Sequence, residues 1–254
     1  MTDLRGAHAK GYISKLPCYN SIFNYFESEM LTAHLQMLIQ ESSLPLAAIE
    51  RDFAVDSTGI STCRFFQWVE AKYTNPTLAE KRDWIKLHLV CGVKTNVVTA
   101  VEITDRHAND SPQFKPLVDA TAENFKINEV SADKAYLSAG NFRAVTERGG
   151  MPYIPFKSNS TPDSIRKTQD PMWKWMYHYY MAYQEKFTAC YHKRSNVEST
   201  FMMIKAKFGD AIRSKTRTAQ INEALCKVLC HNICCLIQSM YELGLKPKFW
   251  AAVA

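Results

Sequence analysis

Three acidic residues sit where chemistry could be built. Asp56 ends the alternating run RDFAVDS (51–57), which reads as a short strand. Asp133 follows EVSA (129–132), another short strand, in the fragment SADKAY. Glu198 lies in a helical pattern over 191–208. Sites in open α/β sheets form at the carboxyl ends of strands, so neighbouring strands would set Asp56 and Asp133 on one crevice. At about 100° per residue, Arg194, Glu198 and Lys205 fall within roughly 60° of Tyr191, beside an apolar stripe of Val197, Phe201, Ile204 and Phe208. The apolar stripe would pack on the sheet while the polar line aims its acid at Asp56 and Asp133.

Electrostatics narrows what such a trio does. Carboxylates about 4 Å apart repel by roughly 4 kcal/mol per pair at a surface-like dielectric. Cations in the gap offset that repulsion, and all-oxygen ligands select Mg²⁺, with Mn²⁺ as a substitute, over zinc. Two such ions about 4 Å apart clamp the attacking and leaving oxygens of a phosphodiester. The surrounding charge suits a polyanion. Between 192 and 217 stand Lys193, Arg194, Lys205, Lys207, Arg213, Lys215 and Arg217 against Glu198 and Asp210, so this block holds nearly all of the chain's net charge of +6. Each residue also has a plainer reading. Asp56 could cap a turn, Asp133 a loop, Glu198 could pair with Arg194 or Lys205, and the block could be a solvated face.

The elements that must position these side chains follow from periodicity. Residues 20–40 read as one amphipathic helix after a loose lead-in over 1–15. WIKLHLVCG (84–92) and NVVTAVEI (96–103) form a hairpin. Asp110-Ser111-Pro112 starts a helix, with Asp110 as its cap, running to about Phe125. A helix over 138–148, a strand over 151–156, a polar loop over 157–170 and helices over 171–187, 191–208 and 218–243 complete the chain. Thr58 and Gly59 would shape the turn after Asp56. A three-strand meander followed by two strands, each preceded by a helix, predicts an α/β fold: a mixed five-stranded sheet of ribonuclease-H-like order with helices on both faces.

Composition excludes other classes. With 254 residues, 46% apolar and 22% charged, this is a globular chain and not a disordered or collagenous one. The apolar run over 228–241 is too short to span a bilayer, and the N-terminus has no signal core, so an intracellular protein without a membrane partner is expected. Eight cysteines need no disulfide framework in such a chain. Cys226, Cys230 and Cys234 recur every four residues of one helix, which cannot wrap thiols around zinc, so they read as a buried stripe.

YHKRSNVESTFMMIK resembles the Tyr-x2-Arg-x3-Glu-x6-Lys (YREK) signature of insertion-sequence DDE transposases, with Tyr191, Arg194, Glu198 and Lys205 at matching spacing. FAVDSTG, SADKAYLS, NDSPQF, YIPFKSN and LCHNI are similar to further motifs of that family over about 45–243. The resemblance implies a catalytic domain over 46–254, with an insert at about 157–190, preceded by a helical lead-in over 1–45. It implies that Asp56, Asp133 and Glu198 bind two Mg²⁺ or Mn²⁺ ions, that water opens the phosphodiester at an element end, and that the freed 3′ hydroxyl attacks target DNA. Tyr191, Arg194 and Lys205 would contact double-stranded DNA, flanked by Lys193 and Lys207. A homodimer in the synaptic complex and a prokaryotic, cytoplasmic and nucleoid-associated location are further implications. Some relatives carry a Trp in the insert that receives a flipped base. Trp173 and Trp175 invite the comparison, whereas Trp173, Met176, Tyr180, Tyr183 and Phe187 form a stripe that reads as core. No recognition helix is visible before the first strand, so a truncated or domesticated remnant that binds DNA without cutting is the alternative. A glycosidase with paired carboxylates would leave the basic residues beside Glu198 unexplained.

Overall fold

The computed structural model describes residues 2–62 and 84–246. Its centre is a mixed sheet of five strands in the order β3-β2-β1-β4-β5, made by β1 (Asp52–Ser61), β2 (Trp84–Gly92), β3 (Val98–Asp105), β4 (Glu129–Ala132) and β5 (Met151–Tyr153). β1 pairs antiparallel with β2 from Phe53↔Gly92 to Ser61↔Trp84. On its other edge it pairs parallel with β4, only from Asp52↔Glu129 to Val55↔Ala132. β2–β3 is the expected hairpin, and β4–β5 is parallel.

β1 is buried on both sides, and its period of two sorts the core. Phe53 and Val55 face one apolar cluster; Ala54 and Ile60 face the other. The first cluster is covered by α4 (Ser111–Ala122) and α5 (Ala139–Thr146), through Phe114, Leu117, Phe142 and Val145. The second is covered by α3 (Glu29–Ser43), α9 (Ser195–Phe208) and α10 (Arg217–Leu243), through Leu35, Ile39, Val197, Phe201, Ile204 and Leu225. Each such side chain contributes about 1.5–3 kcal/mol when fully buried. α10 is long and apolar enough by length and composition to cross a bilayer, yet half of its most apolar window is buried here, against α3 and the sheet.

Several expected boundaries move. The lead-in holds a helix, α1 (Thr2–Ala9). The single helix expected over 20–40 is two, α2 (Tyr19–Phe26) and α3, broken at Glu27 and Ser28. β1 runs on to Ser61, so Thr58 and Gly59 are strand residues and not a turn; the Trp84 ring packs where a Gly59 Cβ would stand, 3.1 Å away. The loop over 157–170 contains the short helix α6 (Pro162–Lys167). The aromatic helix splits at Tyr183 into α7 (Pro171–Ala182) and α8 (Gln184–Tyr191). A 3₁₀ turn, His192–Arg194, then interrupts what had read as one helix over 191–208. Gly209, at φ +85, ends α9 in backbone that only glycine adopts cheaply.

Candidate active site

Strand register brings the acids together. The β1–β4 ladder ends at Val55↔Ala132, so Asp56 and Asp133 are the next residues on adjacent parallel strands. β1 continues past this point paired with β2, its other edge meeting backbone again only at Ser61, which bridges Ala211, and Asp56 therefore lies where the sheet loses one neighbour. Asp56 Oδ1 accepts the Ser57 backbone N–H at 2.8 Å. Asp133 caps the 3₁₀ turn Lys134–Tyr136, its Oδ1 accepting from Lys134 N at 2.6 Å. Glu198 enters from the first turn of α9.

Arg194 ties two of these acids. Its Nη1 donates to Asp56 Oδ2 at 2.7 Å and its Nη2 to Glu198 Oε1 at 2.6 Å. The Asp56 and Arg194 side chains are 19% and 21% exposed, whereas Glu198 is 55% exposed. The guanidinium also lies 5.9 Å from the Tyr191 ring centroid. Further along α9, Lys205 Nζ donates to Thr58 Oγ1 at 2.7 Å. Thr58 is two residues from Asp56 and shares its face of β1.

Charge at the site is unbalanced. Burial pushes the Asp56 carboxyl above its ordinary value, and Asp133 and Glu198 add to the rise against the opposing Ser57 N–H and Arg194. Burial likewise raises Tyr191, with Asp133 and Asp56 contributing. Burial lowers Lys205, opposed by Asp210. Thus Asp56, Asp133 and Glu198 share one electrostatic environment with Arg194 and Tyr191. Among the described residues, no three His, Cys, Asp or Glu side chains stand close enough to grip an ion as they are. Arg194 takes one oxygen from each of Asp56 and Glu198. The donor set is wholly carboxylate oxygen, which suits a hard divalent cation.

Two of the expected DNA contacts lie elsewhere. Lys193 Nζ bridges Asp52 Oδ2 at 2.7 Å and Glu129 Oε2 at 2.6 Å, at the opposite end of the β1–β4 ladder. Lys207 Nζ lies 3.1 Å from Cys234 Sγ on α10. Burial pushes Asp52 upward, but Lys193 and the Asn128 amide outweigh it and hold the carboxyl below its ordinary value. The cysteine stripe is not buried either: Cys226 and Cys234 are half-buried and Cys230 is exposed, while Cys63 lies outside the described residues.

Other functional-looking groups gave little signal in the sequence. Asp110 stands at the N-cap of α4 but makes no capping bond. It accepts Lys86 Nζ at 2.9 Å and faces the buried His88, whose Nδ1 is 3.7 Å away. Tyr136 is buried with no partner for its hydroxyl among the described residues. Lys86 and His88 share one face of β2, and nothing local in the sequence pairs that face with Asp110. Trp175 is 49% exposed and stacks on Tyr179 at 5.3 Å; Met176 and Phe187 are buried as expected, but Tyr183 is exposed.

A mixed five-stranded sheet wrapped by helices on both faces, with carboxylates at the end of its central parallel ladder, defines a ribonuclease-H-like α/β protein. Residues 48–233 match the family described as Transposase DDE domain, and the chain belongs to that family. It is accordingly a transposase, a DNA-binding protein whose family carries out DNA recombination. No solved structure matches the chain.

Proposed function

We propose that the protein cuts DNA at the ends of an insertion sequence and joins the freed 3′ hydroxyl to target DNA, with Asp56, Asp133 and Glu198 as its metal-holding catalytic residues. The observation that carries this reading is that Asp133, just past the β1–β4 ladder, and Glu198 on α9 both act electrostatically on Asp56, with Arg194 joining Asp56 to Glu198. Two Mg²⁺ or Mn²⁺ ions held there would supply water activation and leaving-group stabilisation. The chain's own residues do the rest. Asp56 and Asp133 are fixed by the ladder and by the Ser57 and Lys134 N–H groups, while the exposed Glu198 completes the set from α9. Tyr191, Arg194 and Lys205 form the YREK line, with Arg able to grip a phosphate through two N–H groups and Lys205 as a point charge further along. Lys193 would have to leave Asp52 and Glu129 to join them.

In the same reading, residues 46–254 are the catalytic domain with its insert at about 157–190, and 1–45 is a helical lead-in whose α3 is built into the core. Double-stranded DNA is the substrate, and two copies of the chain would bridge a pair of ends in the prokaryotic cytoplasm. The test is incubation of the full chain with its own element's terminal duplex and Mn²⁺. Nicking at the terminus by the wild type, and none by Asp56→Asn, is the expected result. Duplex retained without nicking would overturn the reading in favour of a remnant that only binds DNA.

A further inference from the structure

We propose that Arg194 is an internal counter-cation: it closes the acidic crevice when no metal is bound and passes to a DNA phosphate when divalent ions take its place. This rests on the function proposed above and adds to it a coupling between metal and DNA.

The bonding pattern at Asp56 carries the inference. Its Oδ1 is occupied by the Ser57 N–H and its Oδ2 by Arg194 Nη1. The other arm of the same guanidinium holds Glu198 Oε1. Charge-assisted bonds this short are strong, and a divalent ion at those oxygens would compete for their lone pairs and repel the guanidinium. Metal and the bridging arginine therefore exclude each other. Removing the arginine alone would leave the largely buried Asp56 carboxylate unneutralised, so the bridge steadies Asp56 in the metal-free protein. A guanidinium is protonated at any working pH, so the displaced group stays cationic. It leaves the crevice as a free fork beside the scissile strand. Phosphate then stabilises the displaced position, and metal and DNA favour the same state. Linkage requires each to tighten the other by the same factor.

The experiment uses the full chain stripped with EDTA. Mg²⁺ uptake is followed by calorimetry, and the Arg194 guanidinium by NMR of ¹⁵N-arginine-labelled protein. The expected results are loss of the bridged Arg194 signal on Mg²⁺ saturation, a second change on adding a short duplex, and a tightening of Mg²⁺ by that duplex of about fivefold or more. In R194K, which keeps the charge but cannot span both acids, Mg²⁺ should bind about fivefold tighter than in wild type without DNA. The thermal shift produced by Mg²⁺ should also be larger in R194Q than in wild type, because the metal-free variant alone lacks a bridge. Mg²⁺ uptake with the Arg194 signal unchanged, or with equal affinity in R194K, overturns this inference and leaves the proposed function standing. No Mg²⁺ or Mn²⁺ uptake by wild type or either variant overturns both.

Discussion

The parallel ladder between β1 and β4 has a pair of acids at each end, and two consecutive cations close them. At the start, Asp52 and Glu129 are cross-strand partners bridged by Lys193. Just past the end, Asp56 and Asp133 stand side by side with Arg194 on Asp56. The ingredients match, yet the outcomes are opposite. Asp52 is held below its ordinary value and Asp56 is pushed above it. The first end is satisfied, since Lys193 contacts both acids and Asn128 donates to the remaining Asp52 oxygen at 2.9 Å. The second end has a third acid, and its cation is drawn towards Glu198; among the described residues no ion pair engages Asp133. Such an excess of negative charge is what structural ion pairs avoid and what an ion-binding crevice needs. On the proposed function, the contrast separates a fastening from a metal site more sharply than either cluster does alone.

The largest effect should come from the acids themselves. Asp56→Asn should lower DNA cleavage by about 10³-fold or more, since several kcal/mol of metal stabilisation is lost, while Asp52→Asn should leave single-turnover cleavage nearly intact. Equal losses would erase the distinction. Next comes Lys193→Met, which strands two half-buried carboxylates and should cost about 1–3 kcal/mol in urea unfolding, with Mg²⁺ uptake unchanged. The pH dependence follows from the depressed Asp52. A group with a lowered folded pKa adds stability above its unfolded value and loses it as pH falls through the folded value. The wild type should therefore lose this contribution as pH falls from the ordinary carboxylate range through the lowered Asp52 value, and Lys193→Met should show a shallower acid slope there. The smallest effect is expected from the lysines of α9. Lys205→Ala should weaken duplex binding about equally for all sequences and reduce the salt slope by about one, whereas Lys207→Ala, whose ammonium lies against Cys234, should change it less.

How far the sequence revealed this arrangement depends on the range of the forces involved. The β2 bounds, the EVSA strand and the start of α4 were readable because local alternation and turn chemistry determine them. Arg194 and Glu198 were readable as an i,i+4 pair on one helix. What failed needed partners distant in the chain. Lys193 looked like one more basic residue on a solvated block, and only the β1–β4 register shows the two acids that claim it. Asp110 had every local mark of a cap, but Lys86 offers its carboxylate a full charge, which is stronger than the α4 backbone N–H groups can match. The breaks at Tyr183 and at 192–194 carry no glycine or proline. They answer to packing: Phe187 must reach the first cluster while Val197 reaches the second.

The 3₁₀ turn His192–Arg194 has a consequence for how this protein can vary. It sets the angular phase between α8 and α9, and so sends neighbouring side chains, Lys193 and Arg194, to the two ends of one ladder. Adding or deleting a single residue there would turn one helix by about 100° against the other, and both cations would miss their acids at once. Variation upstream, in the loop before α7, leaves that gearing untouched. Tolerance to length change should therefore drop sharply at Tyr191.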